Sequence, residues 1–318
     1  MKLGIDLGGT NLRAAAFEGD TARDIHKERV GEDRDPEAIV SRVADLALRF
    51  AGDTPGPIPL GVGIAAMLRD RRGTVANSPH LRWRDVAFGA QLAARLGSRF
   101  RIGVYNDVNA IVWGEAVAGA ARGCRDVLGV YVGTGIGGGV ICGGQLVEGA
   151  SNSAGEIGHV KIRWDDDAAP CACGQRGCIE AYVGGSYVER RIQLELAKRP
   201  KALAIQLAGS LEAVNPGHVD SAAAAGDEWS LALWTELSTM FAVVLANALA
   251  ILNSDRLVLG GGLLGRAPTL FELVETALIL AAPVATSEAL TVVQAELGDD
   301  AGLVGAAALA AAGVSIID

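Results

Sequence analysis

The chain has 318 residues, of which 50% are hydrophobic and 5% aromatic, with a formal net charge of −9. That length suits two domains of ordinary size or one large α/β unit, and the composition excludes a disordered or collagen-like chain. The acidic balance argues against nucleic acid as a partner, because general nucleic-acid binders are normally basic.

Met1-Lys2 runs straight into a strand, with nothing that resembles a signal peptide. The apolar runs 240–252 and 301–317 fall short of the ~20 residues a spanning helix needs, so both are expected to be core helices and no membrane contact is expected. Five cysteines, three of them clustered, fit a reducing cytoplasm. Cys124 and Cys142 are expected to be small buried residues.

Residues 2–17 open with a strand that breaks at Gly8-Gly9 and resumes as a second strand. A glycine turn between two buried strands offers bare backbone N–H groups with no Cβ in the way, which suits a phosphate. Thr10 and Asn11 add side-chain donors, and Asp6 sits where it could hold a Mg²⁺ water shell. A plain hairpin turn is the alternative. The pattern recurs at residues 127–141, a strand, a Gly-Thr-Gly turn at Gly133, Thr134 and Gly135, and another strand. Two copies about 125 residues apart suggest an internal duplication. One hairpin from each domain could grip a nucleotide's phosphates across a cleft.

Between the copies, residues 36–52 read as an amphipathic helix, 53–59 as a proline loop and 59–66 as a buried strand. The polar turn 67–73 then lies at a strand's end, the usual place for ligand contacts in an α/β sheet. A helix is expected at 86–97. The strand 101–105 ends in Asn106-Asp107, and a helix is expected at 110–121. A carboxylate at that strand end, Asp107, can accept a proton from a bound hydroxyl. Asn106, Asp107 and Asn109 are equally good helix caps.

Residues 153–180 carry the densest chemistry. His159, Cys171, Cys173 and Cys178 fall inside twenty residues, and Cys₃His is a standard closed ligand set for structural Zn²⁺. Gly174 and Gly177 let the backbone fold tightly enough for Cys173 and Cys178 to reach one ion. Disulfides or plain buried thiols are the alternatives; the odd count and the nearby His favour a metal. Glu156 and Glu180 flank the cluster. A zinc knuckle would hold both acids on a rigid base, which suits a polyhydroxylated ligand; solvated surface carboxylates are the alternative. Asp165, Asp166 and Asp167 form a short acidic loop read as solvated.

From residue 181 to 252 the chain reads as helical, with breaks at Pro200 and Pro216 and a long helix at 227–252. The strand 256–259 ends in Gly260, Gly261 and Gly262, a third glycine junction fit for close approach by the adenosine end of a nucleotide. A helix is expected at 268–281, a strand at 291–296, and a small-residue helix at 302–313 packing back on the first domain.

The set Asp6-Leu-Gly-Gly-Thr-Asn-Leu-Arg13, Asn106-Asp107, Gly133-Thr-Gly-Ile-Gly-Gly-Gly, Glu156-Ile-Gly-His159, Cys171-Ala-Cys-Gly-Gln-Arg-Gly-Cys-Ile-Glu180 and Leu259-Gly-Gly-Gly resembles the ROK family (repressors, open reading frames, kinases). The resemblance spans essentially the whole chain. It implies an α/β, two-domain ribonuclease H-like fold of the actin/hexokinase type, with sugar and ATP in an interdomain cleft and a structural zinc knuckle. The expected division is residues 1–118 plus 301–318 against 119–300. The resemblance implies that Asp107 is the general base on a sugar 6-hydroxyl. It implies that Asn106, Glu156, His159 and Glu180 hold sugar hydroxyls, with His159 also a zinc ligand. Asp6, Gly8, Gly9, Thr10, Asn11 and Arg13 would meet the phosphates and Mg²⁺ from one side, and Gly133, Thr134 and Gly135 from the other. Gly260, Gly261 and Gly262 would line the adenosine site. It also implies a homodimer or homotetramer.

Two departures bear on the sugar. Where family glucokinases have a Gly-Pro-Gly-like loop this chain has Ala66-Met-Leu-Arg69, and the family's Pro-Asn-Leu is Pro79-His-Leu. Arg69 and His80 are therefore expected to influence sugar choice. Asn11 stands where many bacterial members carry Lys. The leading expectation is a glucokinase, with N-acetylglucosamine or N-acetylmannosamine as alternative acceptors. A sugar-responsive repressor is disfavoured, because the chain starts on the nucleotide-binding strand with no room for a helix-turn-helix. A sugar-binding regulator without catalysis is the remaining alternative.

Overall fold

The computed structural model describes residues 1–19 and 21–317. In chain order the elements are β1 (Lys2–Leu7), β2 (Asn11–Glu18), β3 (Thr21–Arg29), α1 (Pro36–Ala51), β4 (Ile58–Ile64), β5 (Met67–Leu68), β6 (Val75–Ser78), β7 (Trp83–Val86), α2 (Phe88–Leu96), β8 (Phe100–Asn106) and α3 (Asp107–Ala118). They continue with β9 (Val127–Val132), β10 (Ile136–Cys142), β11 (Gln145–Leu146), α4 (Glu180–Val183), α5 (Gly185–Leu196), α6 (Leu203–Ala208), α7 (Pro216–Ala224) and α8 (Glu228–Leu252). The last are β12 (Arg256–Gly260), α9 (Pro268–Ala281), α10 (Val284–Ala289), β13 (Thr291–Gln294) and α11 (Ala301–Ala311). The chain divides into two compact units, Met1–Val127 with Gly139–Gly155 and Ala295–Asp318, and Leu128–Gly138 with Glu156–Gln294.

Two five-stranded sheets have the orders β3-β2-β1-β4-β8 and β11-β10-β9-β12-β13. Counted within each sheet, both run third, second, first, fourth, fifth strand. The expected internal duplication is therefore present as repeated topology. In the first sheet β1 pairs antiparallel with β2 and parallel with β4, and β4 pairs parallel with β8. In the second, β10 and β11 are antiparallel, and β12 and β13 are parallel.

Alternation along β1 positions the site of the first unit. Leu3, Ile5 and Leu7 join one core cluster with Ile39, Val43 and Ala47 of α1. The helix is amphipathic, Asp35 caps it by accepting from the Ala38 N–H at 3.0 Å, and Pro36 fits its first turn. Gly4 and Asp6 point to the opposite face, against α11. A Cβ on Gly4 would collide with the Leu303 carbonyl, and one on Gly61 of β4 with that of Ala306. The missing side chains let the helix backbone lie on the sheet, and Gly302 consequently sits beside the Asp6 carboxyl.

Several expected boundaries shift. The helix expected at 110–121 begins at Asp107, because Asn106 supplies its cap. The polar turn expected at 67–73 starts with β5, which pairs in a small sheet of order β5-β6-β7 that the sequence reading missed. β3 was also missed; most of its residues are exposed, so no buried alternation marks it. Cys124 and Cys142 are half-buried rather than buried.

In the second unit, α8 is 25 residues long and apolar enough by length and composition to cross a membrane. Leu233, Trp234, Leu237, Phe241, Leu245 and Leu249 nevertheless recur at helical spacing and are buried, with α9 and α7 packed against the helix. The expected core role of 240–252 holds on that face.

Candidate active site

In the first unit, the β1–β2 turn closes with a hydrogen bond from the Gly8 N–H to the Asn11 carbonyl at 3.0 Å. Asp6, Gly8, Gly9, Thr10, Asn11, Arg13, Lys27 and Asp299 line a cavity of about 260 Å³ there. The strand register explains the grouping. Asp6 pairs with Arg13 on β2, and Arg13 with Lys27 on β3, so the three side chains stand in a row on one face. Arg13 is buried, and its guanidinium donates to the Asp299 carbonyl and the Asp300 carboxylate. Lys27 is exposed. Burial pushes the Asp6 carboxyl up to about 6; Arg13 opposes this and Asp299 adds to it.

Asp107 is the first residue of α3, directly after β8. Asn106 performs the capping, its Oδ1 accepting from the N–H groups of Val108 and Asn109 at 2.9 and 3.1 Å. The Asn106 amide nitrogen donates to the Ala66 carbonyl at 3.2 Å and to Asp107 Oδ1 at 3.1 Å. The same Asp107 oxygen accepts from the Val108 N–H at 3.0 Å. Asn106 thus fastens the strand end, starts the helix and orients the carboxylate beside it.

Arg69 and His80, expected to influence sugar choice, have these neighbours. The Arg69 guanidinium is ion-paired with Asp85. His80 packs on the first glycine turn: a Cβ on Gly9 would stand 2.7 Å from the His80 Cβ.

In the second unit, the 133–135 turn is closed by the Gly133 N–H donating to the Gly135 carbonyl at 2.9 Å. The Gly185 and Ser186 N–H groups at the start of α5 donate to the Gly133 and Thr134 carbonyls at 2.9 and 3.0 Å. A cavity of about 370 Å³ opens beside this junction, lined among others by Gly133, Thr134, Ser186, Gly262 and Arg266. Of the third glycine run, Gly260 ends β12, Gly261 (φ 91°) lies so close to the Val132 backbone that no side chain fits, and Gly262 faces the cavity.

His159, Cys171, Cys173 and Cys178 converge, with one ligand atom from each lying within 4.8 Å of all the others. Cys173 and Cys178 sulfurs are 3.7 Å apart, and Cys171 Sγ is 3.8 Å from His159 Nδ1. A tetrahedron with Zn–S near 2.3 Å requires sulfur separations of about 3.8 Å. The donor set therefore fits such an ion in chemistry and spacing. Gly174 (φ 85°) and Gly177 (φ 76°) adopt the left-handed conformation the tight fold requires. Burial, reinforced by the neighbouring Cys178, pushes the Cys171 thiol up.

Both flanking acids join this cluster. Glu156 Oε2 lies 3.8 Å from His159 Nε2, on the ring edge opposite Cys171. Glu180 begins α4; its Oε2 accepts from the Ile136 N–H at 2.8 Å, and its Oε1 is 3.6 Å from Cys171 Sγ. Burial, opposed by His159 and reinforced by Glu180, pushes the Glu156 carboxyl up. Asp165, Asp166 and Asp167 are exposed, as expected.

The sequence reading did not single out Lys27, Asp299, Ser186 or Arg266. Lys27, Asp299 and Ser186 lie far along the chain from the turns they accompany; Arg266 follows Gly262 by four residues but sits in no local motif.

The ROK family's sequence model matches residues 2–312. A glucokinase from Thermotoga maritima is 30% identical over 313 residues, covering 96% of both chains. An N-acetyl-D-glucosamine kinase from Photobacterium profundum is 30% identical over 324 residues, covering 97% of this chain and 99% of that one. The solved structure of a ROK family glucokinase from Streptomyces griseus, in complex with glucose and AMPPNP, superposes with a TM-score of 0.78 at 29% identity, covering 98% and 99%. The repeated sheet topology, the glycine turns and the Cys/His knuckle thus come with full-length similarity, and the chain belongs to the ROK family.

Proposed function

We propose that this chain is an ATP-dependent hexose kinase that phosphorylates the 6-hydroxyl of glucose. The observation that carries the reading is the seating of Asp107, a carboxylate at a parallel-strand end whose orientation is set by the cap residue before it. In the proposed reaction Asp107 takes the proton of the sugar hydroxyl as its oxygen attacks the γ-phosphorus. The bond from that phosphorus to the β-phosphate oxygen breaks, and ADP leaves. Phosphoryl transfer asks mainly for positioning and charge neutralisation. The Gly8–Gly9 and 133–135 turns would supply backbone N–H groups to the phosphates. Mg²⁺ bound with the nucleotide would neutralise phosphate charge, and Asp6, a half-buried acid beside Asp299, would hold its water shell. Gly262 and Arg266 would face the adenosine end.

Glu156, His159 and Glu180 would form the wall that reads the sugar hydroxyls. Zn²⁺ held by His159 Nδ1, Cys171, Cys173 and Cys178 would be structural, keeping that wall rigid and leaving His159 Nε2 to the sugar. Asn106 would act chiefly by orienting Asp107, since both its amide hydrogens and its oxygen are already engaged. The glucokinase relatives support glucose as acceptor. The similarity to an N-acetyl-D-glucosamine kinase favours N-acetylhexosamines as the alternative.

A coupled ADP-release assay with Mg-ATP tests this across glucose, mannose, fructose, allose, N-acetylglucosamine and N-acetylmannosamine. Turnover with one of these sugars is the expected result. Absence of turnover with all of them would point to another acceptor or donor, or to a sugar-binding protein that has lost its chemistry.

A further inference from the structure

Lys161 faces the knuckle from outside its ligand set. Lys161 and Cys178 form an antiparallel bridge. Flanking it, the Ile162 N–H donates to the Gly177 carbonyl and the Ile179 N–H to the Val160 carbonyl, both at 2.9 Å. Residues directly opposite on such a ladder carry their side chains on the same face. The Lys161 ammonium accordingly reaches Cys178 Sγ at 3.0 Å and donates also to the Arg176 carbonyl at 2.9 Å. The backbone bridge thus sets its position, and the second hydrogen bond holds it there.

Charge counting gives this contact a purpose. Three thiolates and a neutral imidazole around a divalent ion leave a net charge of −1. The Glu180 carboxylate, 3.6 Å from Cys171 Sγ, and Glu156, 3.8 Å from His159, make the surroundings more negative. Arg163, nearby in sequence, is committed to Asp165 at 2.8 and 2.9 Å. Among the described residues, Lys161 is the basic side chain within hydrogen-bond distance of a ligand sulfur.

Resting on the zinc reading above, we propose that Lys161 is an outer-sphere partner of the metal centre that holds zinc in place. Its fixed charge offsets the excess negative charge of the knuckle, and its N–H engages a lone pair of Cys178. Residues that hydrogen-bond to metal ligands commonly change affinity 10–100-fold when removed. Lys161 is exposed, so its replacement leaves the core packing untouched.

The test uses the full chain, purified with its metal, as wild type, Lys161→Met and Lys161→Arg. Zinc stoichiometry is measured first, then the rate of zinc transfer to an excess of a colorimetric chelator. Lys161→Met, which keeps the length of the side chain without its charge, is expected to release zinc about tenfold faster or more. Lys161→Arg, which keeps charge and donors, restores slow release. Stoichiometric zinc in all three with equal release rates would overturn the role of Lys161 and leave the zinc reading standing. A wild-type protein that neither contains nor takes up zinc would overturn both.

Discussion

Glu180 and Ile136 are joined by a hydrogen bond of 2.8 Å, from the Ile136 N–H at the start of β10 to the Glu180 carboxylate at the start of α4. The carboxylate occupies the space a Cβ on Gly135 would need. The second glycine turn and the acid after the knuckle are therefore one structural unit. Gly135→Ala should displace Glu180 and raise the sugar KM about tenfold or more, as expected when a charged hydrogen bond is lost, with zinc content unchanged. An unaltered sugar KM would detach Glu180 from acceptor binding.

Asp107 and Asn106 should separate kinetically. Asp107→Ala should lower kcat by the 10²–10⁴-fold typical of a lost general base, with sugar binding measured by calorimetry largely retained. Asn106→Ala should cost about 1 kcal/mol of stability through the lost cap and reduce kcat less than Asp107→Ala does. If Asp107→Ala keeps wild-type turnover, it is not the base.

Asp6 makes a prediction with opposite signs for stability and activity. Its carboxyl is raised from 3.8 to about 6, chiefly by burial. The folded state therefore holds a proton that the unfolded chain has lost. This favourable term is fully present below pH 3.8 and disappears as pH rises through about 6. At pH 8 the ionised acid is a burden on the unliganded fold, and Asp6→Asn should stabilise it by about 3 kcal/mol, with little gain near pH 4. Urea unfolding at the two pH values checks this, and an equal gain at both would contradict the burial of an acid. The same substitution should abolish Mg-ATP turnover.

Lys27 should act on the donor side. Lining the first-unit cavity beside the glycine turn, it offers a positive charge to a phosphate, whereas Arg13 is held by Asp299 and Asp300. Lys27→Met should raise the KM for Mg-ATP several-fold, about 1 kcal/mol in a screened surface setting, and leave the sugar KM alone. Equal changes in both would show a general disturbance instead.

Removing the metal should loosen the sugar wall. Cys173→Ser, or chelation of the wild type, should lower the melting temperature and weaken sugar binding together, because affinity of a structural ion is folding free energy. Full thermal stability after complete chelation would make the knuckle dispensable.

How much of this was legible in the sequence depends on how far apart the cooperating residues lie. His159, Cys171, Cys173 and Cys178 sit within twenty residues, and the turns at Gly174 and Gly177 are local, so ligand type and spacing could be read directly. The two glycine turns were legible because each is bounded by apolar strands, and their repetition pointed to the duplicated sheet. β3, β6 and β7 were not: β3 is largely exposed, β6 and β7 have only four residues each, and none carries a clear buried period.

Side-chain partners were the other blind spot. The pairing of Arg69 with Asp85 and the seat of His80 on Gly9 could not be read from local pattern, and neither contact tests their expected influence on sugar choice. Lys27 joins Asp6 through the register of three strands, and Asp299 reaches the same cavity from the loop before α11. The sequence by itself determined the donor chemistry of the knuckle, the bare glycine turns and the acid at a strand's end, because each is a property of neighbouring residues. The tertiary structure alone decided that Asn106 orients Asp107, that Glu180 rests on Ile136 and that Lys161 touches Cys178. Rotamers, strand register and close packing bring those atoms together, and local pattern does not encode them.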